Sequence, residues 1–83
     1  MRESTKLILY IRKDCHLCSE MISDLNKLKA KLCFYLELVD VDSSLSLVEK
    51  HGEFVPVLMG KNEEICHFHL DLKALDAYLV KIR

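Results

Sequence analysis

Two cysteines of this 83-residue chain, Cys15 and Cys18, are separated by only two residues. They follow an apolar run and open a long helical pattern, which places them at a helix N-terminus. Unpaired backbone N–H groups and the helix dipole favour an anion there, and cysteine pKa values in such motifs fall to roughly 3.5–7.5. Cys15 is therefore predicted to be the nucleophile, and Cys18, one turn later, can attack a mixed disulfide formed on it. The pair predicts thiol–disulfide exchange.

The single proline is the second feature that could serve this chemistry. Pro56 stands within an apolar strand pattern, where it cannot donate to a sheet ladder. Combined with the cysteine pair, it predicts a cis Val55–Pro56 bond beside the cysteines, which would free a backbone edge for substrate. Proline statistics alone favour an ordinary trans proline on an edge strand.

The neighbours of Cys15 act on its thiolate in opposite directions. A protonated His16 would stabilise the thiolate, whereas a solvated helix-start histidine would have no effect. The carboxylate of Asp14 disfavours the thiolate, and Arg12 and Lys13 oppose Asp14. The sequence leaves the balance among these charges open.

The other two cysteines fall in apolar strand patterns. Cys33, at the start of the second strand, and Cys66, in the fourth, are predicted to be small buried hydrophobic residues. His67 and His69 flank Cys66, but strand alternation puts them on the opposite face, which weakens a joint metal site. His51 is predicted to interact with the dipole at a helix C-terminus.

The elements that must position these residues follow from hydrophobic spacing and turn signals. Strands are predicted at Lys6–Arg12, Phe34–Val41, Phe54–Met59 and Glu64–His69. The first predicted helix follows an apolar stripe: Leu17, Met21, Leu25, Leu28 and Leu32. The second begins at the cap Asp42-Ser43-Ser44 and ends near His51, where Gly52 is expected to be left-handed. The third begins at the cap Asp71 and buries the face formed by Leu72, Leu75, Leu79 and Ile82.

This order, β-α-β-α-β-β-α, defines an α/β fold with a four-stranded mixed sheet and helices on both faces. The first two strands should be parallel through a right-handed crossover, and the last two should form an antiparallel hairpin. A chain of this length holds one core, so residues 1–83 are predicted to form one domain.

Composition excludes several other functions. The chain is 51% hydrophobic and 30% charged with a net charge of −1, and its charges are interspersed. Neither nucleic acid nor a membrane is an expected partner, and the apolar runs are too short to cross a bilayer. The sequence has no signal-peptide pattern, so we expect the protein in the reducing cytoplasm rather than as a secreted domain stabilised by disulfides. We also expect it to be a monomer.

The segment Tyr10–Cys18, YIRKDCHLC, resembles the glutaredoxin signature, in which Tyr-x-Lys leads into Cys-Pro-Tyr-Cys. Val55-Pro56-Val57-Leu58 is similar to the family's Val-Pro segment with its cis-proline. The resemblance spans nearly the whole chain and is strongest to small bacterial glutaredoxin-like proteins with Cys-x-Leu-Cys.

The resemblance implies a thioredoxin-like fold and a dithiol oxidoreductase acting on protein disulfides or glutathione mixed disulfides. It implies Cys15 as nucleophile, Cys18 as resolving thiol, and Val55-Pro56 as a docking edge. Arg12 would meet a carboxylate of glutathione, and Asp71 would offer a carboxylate at the last helix start.

The chain departs from the glutaredoxin pattern where glutathione approaches the backbone. The glycine pair before the last helix is replaced by Phe68-His69-Leu70, and the threonine before Val-Pro is Phe54. We therefore expect no resident cofactor and weak use of glutathione as a co-substrate.

Two metal-based alternatives compete with disulfide exchange. Zinc could bind Cys15 and Cys18 with two of Cys33, Cys66, His67 and His69, although zinc knuckles rarely place Cys-x-x-Cys at the start of a long helix. Cys15 and glutathione could instead bridge an iron–sulfur cluster between two subunits. Neither alternative changes the expectation that no metal is bound.

Overall fold

The computed structural model describes residues 5–82 of the chain. Its strands are β1 (Thr5–Ile11), β2 (Phe34–Asp40), β3 (Val57–Met59) and β4 (Glu64–His67). Its α-helices are α1 (His16–Leu32), α2 (Leu45–His51) and α3 (Leu72–Lys81), and a single 3-10 turn spans Val41–Ser43. The predicted order β-α-β-α-β-β-α is therefore confirmed. Residues 1–4 and 83 of the predicted domain lie outside the described residues.

The four strands form one mixed sheet in the order β2-β1-β3-β4. The crossover through α1 makes β1 and β2 parallel, with Ile11 beside Asp40. Strand β3 is antiparallel to β1, pairing Val57 with Tyr10, and β4 is antiparallel to β3, pairing His67 with Val57. The end of β1, the start of β3 and the end of β4 therefore meet at one end of the sheet.

Helices cover both faces of this sheet, as predicted. Alternate residues of β1 point to opposite faces, and Leu7 and Leu9 are fully buried. They join one core cluster with residues of α1 and α3: Met21, Leu25, Leu75, Tyr78 and Leu79. On the other face, the ring of His51 at the end of α2 stacks on Tyr10, with the ring centroids 4.4 Å apart.

Three strands are shorter than the sequence predicts, and β2 loses only Val41, which begins the 3-10 turn. Strand β3 begins at Val57 rather than Phe54, because Pro56 has no N–H for a sheet ladder. Strand β4 ends at His67 rather than His69, because Phe68 adopts a left-handed backbone with φ 64° and turns the chain. The shortened ends of β3 and β4 lie at the end of the sheet where β1 leads toward Cys15.

The short helix begins within the predicted cap segment Asp42-Ser43-Ser44. Ser44, the last residue of that segment, is the N-cap of α2. Asp42 and Ser43 belong to the preceding 3-10 turn, which Asp40 caps by accepting the Asp42 N–H at 2.9 Å. The expected left-handed conformation of Gly52 is wrong, because Gly52 has right-handed helical angles, with φ −54°.

The last helix begins as predicted. The Asp71 carboxylate accepts the N–H of Ala74 at 3.1 Å and caps α3. Ile82 lies just beyond the helix as its C-cap. Gly60, in the β3–β4 turn, lies against the ring of the buried Tyr78, whose hydroxyl accepts the Lys61 N–H at 2.7 Å.

Candidate redox site

Cys15 and Cys18 lie at the start of α1, where the loop after β1 meets the helix. Cys15 is the N-cap residue, and the backbone N–H of Cys18 donates to its Sγ at 3.1 Å. The two cysteines form a disulfide with their Cα atoms 5.2 Å apart. Cys15 is half-buried, whereas Cys18 is only 3% exposed. A substrate can therefore reach the outer sulfur more readily than the inner one.

The side chain of His16 is exposed to solvent and pairs with Glu20. Its Nε2 lies 2.8 Å from the carboxylate of Glu20, one turn further along α1, and its side chain is 85% exposed. This geometry favours the second interpretation of His16, a solvated residue at the helix start. Asp14, before the cap, has a left-handed backbone with φ 56° that turns the chain into the helix.

The proline segment reaches the same end of the sheet as the cysteines. The Val55–Pro56 peptide bond is cis, and Pro56 is buried immediately before the residue that pairs with Tyr10. The carbonyl of Pro56 accepts the N–H of Phe68 at 3.0 Å. By contrast, the N–H and C=O of the half-buried Val55 bond no residue between 5 and 82. Val55 therefore offers an open backbone edge.

Arg12 is engaged within the protein. Its Nε and Nη2 donate to the Asp42 carboxylate at 3.1 and 3.0 Å, and its Nη1 donates to the Gly52 carbonyl at 3.3 Å. The hydrogen bond and charge of Arg12 hold the pKa of Asp42 below its ordinary value. Arg12 thus ties the end of β1 to the 3-10 turn and to the end of α2. The sequence does not predict this contact, because Asp42 falls in the segment Asp42-Ser43-Ser44 that predicts a helix cap.

The Asp71 carboxylate is also occupied, because it caps α3 through Ala74. It lies in a shallow groove at the β4–α3 junction, together with Cys66, His67 and His69. Of the six predicted site residues, four lie at one end of the sheet: Cys15, Cys18, Val55 and Pro56. Cys15 and Val55 are half-buried, whereas Cys18 and Pro56 are buried. Arg12 and Asp71 already have internal partners.

An aromatic cluster that the sequence does not predict as a functional feature borders the proline segment. The ring of His67 lies 5.5 Å from that of Phe54 and 4.8 Å from that of Phe68, centroid to centroid. Both phenylalanines are partly exposed. The sequence feature that could have indicated this cluster is the presence of Phe54 and Phe68 where glutaredoxins have a threonine and a glycine pair.

The two remaining cysteines differ in environment. Cys66 is buried as predicted, and burial raises the pKa of its thiol. Cys33 is exposed, so its predicted burial is wrong. It is the left-handed C-cap of α1, with φ 60°, and its N–H donates to the Lys29 carbonyl at 2.8 Å.

The zinc alternative would require ligands from several elements. The length of α1 separates Cys33 from Cys15 by about 27 Å at 1.5 Å per residue. Within the described part of the chain, no three His, Cys, Asp or Glu side chains are grouped to hold a metal ion.

No helix between residues 5 and 82 is long and apolar enough to cross a bilayer.

The sheet order, the helices on both faces and the Cys-x-x-Cys pair define a thioredoxin-like fold. Thioredoxin 1 from Thermosipho africanus is 19% identical, with 94% of this chain and 99% of that one covered and a TM-score of 0.62. This likeness supports the fold alone.

More similar structures come from two bacteria. Protein Ne2328 from Nitrosomonas europaea is 40% identical, covers 94% of both chains and gives a TM-score of 0.84. Protein XcR50 from X. campestris is 33% identical over 90% of this chain and 96% of its own, with a TM-score of 0.68. Among curated proteins, no match is found.

A model of the glutaredoxin-like domain (DUF836) matches residues 6–80. The chain therefore belongs to this glutaredoxin-like family, which confirms the resemblance seen in the sequence. Family membership together with the bonded cysteine pair indicates a redox function.

Proposed function

We propose that the protein is a dithiol oxidoreductase that reduces disulfides of polypeptide substrates. The observation that carries this proposal is the asymmetry of the pair. The accessible Cys15 sulfur receives a backbone N–H at the start of α1, whereas Cys18 is buried and within bonding distance of it. An N–H donor stabilises a thiolate, and burial shields the inner thiol from substrate.

The proposed reaction starts from the reduced pair. The Cys15 thiolate attacks one sulfur of the substrate disulfide, forms a mixed disulfide and expels the other sulfur as a thiolate. Cys18, as its thiolate, then attacks Cys15 Sγ, closes the Cys15–Cys18 disulfide and expels the second substrate thiolate. Two electrons pass to the substrate, and the two protons lost by the cysteines balance the two substrate thiols. An external dithiol returns the pair to its reduced form.

Polypeptides suit this site better than glutathione. The open N–H and C=O of Val55 can pair with an extended substrate backbone next to Pro56. Glutathione carries two carboxylates and an ammonium group, which require charged partners. The guanidinium of Arg12 and the carboxylate of Asp71 are engaged inside the protein. We therefore propose glutathione as a poor co-substrate.

The proposed setting is the cytoplasm, where thiols are kept reduced. There the protein would act as a monomer without a resident cofactor. Its proposed partners are a disulfide-containing polypeptide and the dithiol that reduces Cys15–Cys18.

Trapping the mixed disulfide tests this mechanism. Reduced Cys18→Ser protein, mixed with a peptide disulfide, should accumulate a covalent adduct on Cys15 detectable by intact mass, since attack survives and resolution is lost. Cys15→Ser should form no adduct and reduce no disulfide. An adduct on Cys33 or Cys66, or unchanged reduction by Cys15→Ser, would refute the assignment. A glutathione mixed disulfide should react more slowly than the peptide.

A further inference from the structure

Three aromatic rings form a continuous exposed patch next to the proposed docking edge. This aromatic patch consists of Phe54, His67 and Phe68. The two phenylalanines are 44% and 39% exposed, and their ring centroids lie 6.2 Å apart with His67 in contact with both. Single exposed apolar residues are common on protein surfaces, whereas rings that touch one another beside an open backbone edge offer a surface on which an apolar side chain can pack.

The backbone places the patch at the end of the sheet that carries the cysteines. Phe54 directly precedes Val55, and the Phe68 N–H holds the carbonyl of Pro56 at 3.0 Å. His67 pairs with Val57, which pairs in turn with Tyr10 near the end of β1. Adjacent strands are separated by about 4.8 Å, so only two strand spacings separate His67 from β1.

The conformation of Phe68 indicates that its ring is not there to fill the core. Its φ of 64° is an outlier for a bulky residue, for which glycine is the ordinary choice. Phe68 is 39% exposed and packs against surface rings rather than in the core cluster. The Phe68 N–H donates to the Pro56 carbonyl, and the N–H of His69 donates to the His67 carbonyl at 2.7 Å, so this unfavourable backbone is held in place on both sides of Phe68. A strained backbone that keeps a ring exposed favours a binding role for that ring.

The chemistry of the patch favours an apolar occupant. The phenylalanine rings offer no charge and no hydrogen-bond donor. The one ionisable member, His67, already pairs with the carboxylate of Glu64. A peptide paired with the Val55 backbone would lie beside Phe54, which directly precedes Val55, and beside Phe68, which bonds the Pro56 carbonyl, so a side chain that flanks its cysteine comes within reach of the rings. Glutathione has only glycine and the polar γ-glutamyl group beside its cysteine.

Resting on the proposed function, we infer that the aromatic patch selects polypeptide disulfides with an aromatic or large aliphatic residue beside the reacting cysteine. Phe54 and Phe68 would be specificity-determining residues for the exchange. The covalent step is the one described above, with Cys15 attacking the substrate disulfide. The patch changes only which substrates approach productively.

Two matched peptides test this inference. Both carry a thionitrobenzoate mixed disulfide and differ only in Phe or Ser next to the cysteine, so thionitrobenzoate release reports the first attack by reduced protein. The Phe peptide should react about threefold to tenfold faster than the Ser peptide, the range expected for one aromatic contact. Phe54→Ala and Phe68→Gly should each bring the ratio toward one through the Phe peptide alone. Phe68→Gly suits the left-handed backbone and should fold.

Tyr35→Ser is the matched control, because Tyr35 is 60% exposed on β2 and pairs with Lys6 at the opposite end of the sheet. It should leave the ratio unchanged. Equal rates for the two peptides, or a ratio that survives both phenylalanine variants, would overturn the inference while the exchange itself stands. No release from either peptide would instead overturn the proposed function, and the inference with it.

Discussion

The backbone N–H of Cys18 points at the Sγ of Cys15 across 3.1 Å, so sulfur takes the place that oxygen usually holds in a helix N-cap. A hydrogen bond of this kind strengthens when its acceptor carries a negative charge. The first turn of α1, His16–Ser19, contains no carboxylate that would oppose such a charge. The cap therefore favours a thiolate once the disulfide is reduced.

This cap predicts unequal reactivity of the two cysteines. In the reduced protein, Cys15 should be alkylated by iodoacetamide at a pH well below the ~8.5 of a free cysteine. Cys18, at 3% exposure, should react much more slowly. The measurement is the alkylation rate of each cysteine against pH, resolved by peptide mass. Equal rates at the two positions would contradict the assignment of the nucleophile.

Cys33 and Cys66 provide a matched pair of serine substitutions outside the redox site. Cys33→Ser, at an exposed helix end, should change the free energy of unfolding by less than about 0.5 kcal/mol. Cys66→Ser buries a hydroxyl in the core cluster and should cost about 1–3 kcal/mol. Urea unfolding measures both.

The reactivity of Cys66 supplies a second check on this pair. Burial raises the pKa of its thiol, so alkylation of Cys66 should be negligible in folded protein near neutral pH and appear on unfolding. Disulfide reduction should survive both substitutions. A loss of exchange in Cys33→Ser would show that an exposed cysteine at the far end of α1 takes part in the chemistry.

The sequence predicts the elements that follow from periodic burial. Alternation in β1 and the leucine-rich stripe of α1 arise from one face of each element meeting the core, so local spacing is enough to find them. The helix start at Cys15 and the cap at Asp71 are equally local, because each depends on a side chain and the next turn of its own helix.

The sequence does not predict which residues adopt left-handed backbone angles, because the fold, and not the presence of a glycine, decides where a positive φ is needed. Gly52 is right-handed, whereas Asp14, Cys33 and Phe68 take positive φ. The Arg12–Asp42 contact joins residues separated by 30 positions, and no local sequence pattern indicates it. Both features depend on how the ends of the strands meet.

Gly60 is predicted to tolerate a side chain poorly, because the ring of Tyr78 packs directly against it. A Cβ atom at this position would lie 2.2 Å from the ring of the buried Tyr78, which cannot move away without losing its bond to the Lys61 N–H. Gly60→Ala should therefore destabilise the protein by about 1–3 kcal/mol. Lys61→Ala is the control, since it keeps the backbone donor and should have little effect. Comparable urea midpoints for Gly60→Ala and the wild type would contradict this account.

The Arg12–Asp42 pair is predicted to make a pH-dependent contribution to stability. Arg12 donates through two nitrogens, and this hydrogen bond is the main reason that the pKa of Asp42 lies below its ordinary 3.8. A carboxyl group whose pKa is lower in the folded chain stabilises the fold above its unfolded pKa. That contribution is lost as the pH falls through the lower, folded value.

Asp42→Asn should therefore lower the urea midpoint at pH 7 by a small amount, since the pair is exposed and screened by solvent. The difference between wild type and variant should shrink as the pH falls below about 4 and vanish once Asp42 is protonated in the folded wild type. Arg12→Lys should show much of the same loss at pH 7, because an ammonium group cannot reproduce the two-nitrogen contact. Urea titrations of the three proteins from pH 2.5 to 7 measure these differences. A wild-type advantage that stays constant across this range would show that Asp42 stabilises the turn by some means other than its charge.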